Sequence, residues 1–66
     1  MAKANLNELL RDALTRKDAR KAGKLSDAMR FQLGMNYADQ VKRVESLGFR
    51  AETWENLMYE ADYYSE

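Results

Sequence analysis

Thr15, Val41, Val44 and Thr53 are the only β-branched side chains in this 66-residue sequence, and isoleucine and proline are both absent. Strands draw on β-branched and aromatic residues that pack well on a pleated surface, so a sheet has little to be made from. Alanine and leucine, two of the strongest helix formers, supply more than half of the apolar residues. The expected fold class is all-α.

Length limits what those helices can enclose. A domain of roughly 60 residues buries only about 60% of the surface its unfolded chain exposes. Residues 1–66 are therefore expected to form a single helical domain of marginal stability. With no cysteine, disulfides and thiolate metal sites are excluded. With no histidine, the usual general base and the commonest transition-metal ligand are missing as well. The hydroxyls of Thr15, Ser26, Ser46, Thr53 and Ser65 have no imidazole to activate them. The carboxylate pairs Glu8/Asp12, Glu52/Glu55 and Glu60/Asp62 have neither EF-hand spacing nor a phosphate-cradling glycine loop beside them. The expectation is a non-enzyme with no cofactor and no metal. Residues 1–14 are broken by Lys3, Asn5, Asn7, Glu8 and Arg11, so they do not read as a signal peptide. No apolar run is long enough to span a membrane. A soluble, cytoplasmic protein is expected.

Apolar periodicity divides the chain into three segments. Leu6, Leu9, Leu10, Ala13 and Leu14 follow the i, i+3, i+4, i+7, i+8 pattern of one helical face. Asn5 and Glu8 have the spacing of a capping box. The stripe thins to Ala19 and Ala22, and Gly23 stands where a helix stop is common. These features predict a first helix over about 6–22, bent or frayed after Leu14. Ser26, followed by Asp27, is a natural N-cap for the next. Met29, Leu33, Tyr37, Val41 and Val44 then form a second stripe, flanked by Phe31, Met35 and Ala38, which predicts a helix over about 26–47. Gly34 lies within it, either as a weak point or where another helix comes close. Gly48 as C′, with Phe49 as C″ and Val44 as C3, matches a Schellman stop. Trp54, Leu57, Met58, Ala61 and Tyr64 share a face of a third helix over about 51–64. The expected architecture is a helical hairpin with a third helix packed across it. The wide stripe of the second helix, with Trp54 in the core, would supply a homodimer seam of helix 2 against helix 2, adding the burial a short chain lacks.

Charge is unevenly divided. Residues 1–30 hold eight basic and four acidic side chains, and residues 31–66 hold three basic and seven acidic ones. The basic run Arg16, Lys17, Arg20, Lys21 and Lys24 would form a continuous stripe on the first helix, because Arg16/Arg20 and Lys17/Lys21 are i, i+4 pairs. Such a stripe gives salt-sensitive affinity for nucleic acid. The surrounding segment resembles the turn of a helix-turn-helix, with Ala19, Gly23 and Met29 at that motif's small-residue, turn-glycine and core positions. Asp18, Lys24 and Gln32 stand where the motif takes apolar side chains. No aromatic residue interleaves the basic run as a base-stacking platform would require.

The acidic end carries the other candidate site. No basic residue follows Arg50, and Glu52, Glu55, Glu60, Asp62 and Glu66 surround Trp54, Tyr59, Tyr63 and Tyr64. Tyrosine and tryptophan are favoured at protein interfaces because they bury large areas while keeping a polar handle. Tyr59 and Tyr63, with Glu55, Glu60 and Asp62, are the expected partner-binding residues. The function expected is non-catalytic binding of a protein partner, as an inhibitor or adaptor. In size and composition the chain is similar to small phage or mobile-element proteins that inhibit a host protein. The alternatives are a small DNA- or RNA-binding module using residues 16–24, and a structural assembly subunit.

Overall fold

The computed structural model describes residues 5–64, and Lys3, Ser65 and Glu66 lie outside that range. Among the described residues there are four helices and no strand: α1 (Leu6–Arg16), α2 (Ala19–Leu33), α3 (Tyr37–Ser46) and α4 (Ala51–Tyr64). The all-α expectation holds. The expected count of three does not, and the two boundaries that differ have identifiable local causes.

The first lies at Lys17. Asn5 begins α1, its side-chain oxygen accepting the Glu8 N–H at 2.8 Å. The helix then closes on Lys17, whose φ of 54° is left-handed. The Asp18 N–H donates to the Ala13 carbonyl at 2.9 Å and the Lys17 N–H to Leu14 at 3.3 Å. That is a Schellman stop without a glycine. Asp18 at once caps α2, accepting the Lys21 N–H at 3.1 Å. The expected 6–22 helix is therefore divided between two helices, and Gly23 and Ser26 lie inside α2 rather than at an end and a start. The helix-turn-helix resemblance fails with it, since no turn occurs at Gly23. A side chain in the left-handed region costs roughly 1 kcal/mol relative to glycine. Lys17→Gly should raise stability by about that amount, measured as a higher urea midpoint at unchanged slope.

The second boundary lies at Gly34, which has a φ of +66° and, among the described residues other than its chain neighbours, no atom within 4 Å of where a Cβ would stand. It is a helix stop, not a close approach. Asn36 then begins α3 with a complete capping box. Its side chain accepts the Asp39 N–H at 2.9 Å, and the Asp39 carboxylate accepts the Asn36 N–H at 3.3 Å. Leu33 and Tyr37 therefore belong to different helices, and the expected 26–47 helix is interrupted. The stop at Gly48 matches expectation: Phe49 N–H donates to Val44 O at 3.3 Å and Gly48 N–H to Glu45 O at 3.0 Å.

Helix α2 contacts all three others, α4 most extensively and α1 next, and α3 packs more on α4 than on α2. The core is built from Leu10, Ala13 and Leu14 of α1, Ala22, Leu25 and Met29 of α2, Val44 of α3, and Trp54 and Leu57 of α4. Gly23 is where α2 and α4 approach closely: a Cβ there would stand 2.9 Å from the Ala61 Cβ. A buried polar pair joins α2 to α3. The Ser26 hydroxyl donates to Gln40 Oε1 at 2.6 Å, and Gln40 Nε2 donates to the carbonyls of Ser26 and Met35 at 3.4 and 3.3 Å. Both side chains are buried. Breaking one half strands the other, at a cost of about 1–3 kcal/mol, whereas removing both is nearly neutral. Gln40→Leu should therefore lower the thermal midpoint clearly, and adding Ser26→Ala should recover part of the loss.

Candidate functional site

Helix α4 presents its functional residues in different directions. Trp54 and Leu57 point into the core, with Trp54 fully buried. On another side of the helix, the spacing Glu52, Glu55, Tyr59, Tyr63 runs i, i+3, i+7, i+11. Tyr59 is 74% exposed and Tyr63 is 77% exposed. These two tyrosines and Glu55 form one solvent-facing row. Asp62, i+7 from Glu55, borders this row, and Glu60 does not join it. Glu60 borders a shallow depression beside Lys17, Asp18 and Arg20. Asp62 also lines the groove between α4 and α2. Four of the five residues expected to act together thus share a side of α4, and Glu60 stands apart from them. Tyr64 is 53% exposed and outside the core; its ring meets Tyr63 edge-on at 5.6 Å between centroids.

The basic run is rearranged more strongly. Arg16 ends α1, Lys17 sits in the junction, and Arg20, Lys21 and Lys24 belong to α2. There is no single helix to carry a continuous stripe. Asp12 also takes two of its members, with Arg16 Nε at 2.9 Å and Lys21 Nζ at 2.6 Å. The hydrogen bond from Lys21 outweighs partial desolvation, and with the Arg16 charge it holds the Asp12 carboxyl below its ordinary value. Asp12 therefore stays ionised and keeps both cations engaged. Arg20 turns instead to α4, its guanidinium carbon 5.3 Å from the Tyr64 ring centroid. That distance lies within the range of cation–π attraction.

The groove between α2 and α4 holds about 690 Å³. Arg20, Lys24 and Arg30 of α2 line it, with Asp27 among them; Tyr37 stands at one side, and Met58 and Tyr64 come from α4. Gly23 and Ala61 form its narrow base. Burial, helped by the nearby Glu55 charge, pushes the Tyr37 phenol above its ordinary value. This meeting of cations and aromatic rings is invisible in the sequence order, where no aromatic lies within the basic run. The residues that make it are separated by whole helices.

The expected dimer stripe is divided as well. Met29, Val44 and Trp54 are consumed by the monomer's own core, and Val41 is half-buried against it. Leu33 and Tyr37 remain outside at 59% and 40% exposure, beside Phe31 at 77%. A seam of helix 2 against helix 2 through all five stripe residues is therefore not available. Among the described residues, no cluster of three or more histidine, cysteine or acidic side chains could hold a metal ion. No helix among them is long and apolar enough to cross a membrane. No protein-family model, curated protein or solved structure matches this chain.

Proposed function

We propose that this chain works without catalysis, by binding a protein partner through the outer face of α4, as an inhibitor or adaptor of that partner. The observation that carries this reading is the pair Tyr59 and Tyr63, each about three-quarters exposed on a helix that bears no basic residue. Two large amphipathic rings one turn apart, with Glu52 and Glu55 on the same side, match helix-in-groove recognition by a partner whose rim is basic. Trp54 and Leu57 anchor the core side of α4, so the face is presented on a fixed support. The partner would gain area from rings that lose little side-chain entropy on binding.

A nucleic-acid role for residues 16–24 draws less support. Arg16 and Lys21 are held by Asp12, and the run is divided between two helices. The two readings separate in one experiment. The tagged chain is used to capture proteins from lysate, with and without nuclease. Binding through α4 predicts one protein retained near stoichiometry after nuclease treatment. Capture that disappears with nuclease would contradict it.

A further inference from the structure

The groove between α2 and α4 adjoins the Tyr59/Tyr63 row, since the Tyr64 ring meets Tyr63 and Glu55 stands near Tyr37, but it has a chemistry of its own. Its volume of about 690 Å³ falls in the ordinary range for small-molecule sites, roughly 300–1,000 Å³. Three cations, Arg20, Lys24 and Arg30, line it along α2. Like charges gathered on one helix wall repel one another, and an anion placed among them relieves that repulsion. The lining is not purely cationic, however, because Asp27 and Asp62 are part of it. A bare inorganic anion would be disfavoured by both carboxylates. A ligand that also carries hydroxyl or amino donors would find an acceptor in Asp27. The remaining walls are the Tyr64 ring, the Tyr37 phenol and Met58, surfaces on which a planar ring can lie. Arg20 already stacks on Tyr64, so the guanidinium is oriented before any ligand arrives, which lowers the entropic cost of binding.

We propose that this groove is a nucleotide-binding site. The cations of α2 take the phosphates, the ring of Tyr37 or of Tyr64 stacks on the base, and Asp27 accepts from ribose hydroxyls or an exocyclic amine. The same chemistry is offered by a free nucleotide and by one residue of a single-stranded nucleic acid. Stacking of one base on an aromatic ring contributes about 1–3 kcal/mol, and arginine–phosphate contacts are among the stronger hydrogen bonds.

Isothermal titration calorimetry of the full chain tests this with four probes: ADP, adenosine, pyrophosphate and a short single-stranded oligonucleotide. The expected result is one ADP per chain, bound at least about tenfold more tightly than adenosine or pyrophosphate alone. Arg20→Ala and Arg30→Ala should each weaken ADP about tenfold, an effect of about 1.4 kcal/mol. Both side chains are exposed, so the variants are expected to keep their helical circular dichroism. Tyr59→Ala should leave ADP affinity unchanged, which separates this site from the outer α4 face; Tyr63 is left in place because its ring meets Tyr64. An oligonucleotide binding more tightly than ADP, with the same arginine dependence, supports the site and assigns single strands as its source; equal or weaker binding supports it with the free nucleotide as the source. The proposal is overturned if neither ADP nor the oligonucleotide binds at millimolar concentration. It is also overturned if pyrophosphate binds as tightly as ADP, or if the arginine variants bind like the wild type.

Discussion

Trp54→Ala should leave the chain unfolded at room temperature. Stability of roughly 0.05–0.15 kcal/mol per residue gives a chain of this length a total of about 3–10 kcal/mol. Removing a buried tryptophan costs about 3–5 kcal/mol, and Trp54 is fully buried where α3 and α4 join the core. A chain this short, which buries little of its surface, belongs at the lower end of that range, where most or all of the stability would go. The expected observation is loss of helical circular dichroism and no cooperative thermal transition. Trp54→Phe should behave differently. The Trp54 indole N–H is buried with no hydrogen-bond partner among the described residues, so phenylalanine leaves a smaller side chain but removes an orphaned donor that itself costs about 1–3 kcal/mol. A folded Trp54→Phe variant, lowered by less than about 2 kcal/mol, is the expected counterpart. A folded, cooperative Trp54→Ala variant would contradict the assignment of Trp54 as the keystone of the core.

Gly23→Leu should be the next most damaging change. A methyl at this position would already lie 2.9 Å from the Ala61 Cβ, well inside the ~3.5–4.0 Å optimum for two carbons. Both atoms sit on helix backbones, so relief requires α2 and α4 to separate along their whole contact. Overpacking of this kind costs about 1–3 kcal/mol, and leucine, with three further carbons, belongs at the upper end. Gly23→Ala is the graded test. It gains about 1 kcal/mol in helix propensity and loses more than that in close packing, for a small net destabilisation. Adding Ala61→Gly opens the space again. The double-mutant cycle should show a favourable coupling of at least about 0.5 kcal/mol. Additive effects would mean that the two helices do not cross at this point.

The parts of the fold legible in the sequence are those written by residue type and by local caps. The scarcity of β-branched residues specifies helices, and Gly48 with Phe49 and Val44 specifies one stop to the atom. The break at Gly34 has a legible cause too, because Asn36 and Asp39 have capping-box spacing two residues later. A continuous apolar stripe from Met29 to Val44 argues the other way, and a left-handed glycine followed by a capped start outweighs it locally. The break at Lys17 has no comparable signal. Lysine rarely adopts a positive φ, and Asp18 is as ordinary inside a basic run as at a cap. Gly23 is ambiguous for a related reason: a glycine marks a stop or a close helix crossing equally well until the neighbour is known. Tyr59 and Tyr63 are legible as an exposed pair from their i, i+4 spacing away from Trp54 and Leu57. The groove is not, because Arg20, Tyr37 and Tyr64 are brought together only when α4 crosses α2.

Protein binding through the acidic face of α4 is tested most directly by one comparison. Wild-type chain and the Tyr59→Ala/Tyr63→Ala variant are immobilised side by side, exposed to the same nuclease-treated lysate, and checked for matching circular dichroism. Both tyrosines are exposed, so the variant should fold like the wild type. The expected result is a stoichiometric protein captured by the wild type and lost, by about tenfold or more in affinity, from the variant. The same protein captured equally by both chains would contradict it and would move the functional surface away from α4.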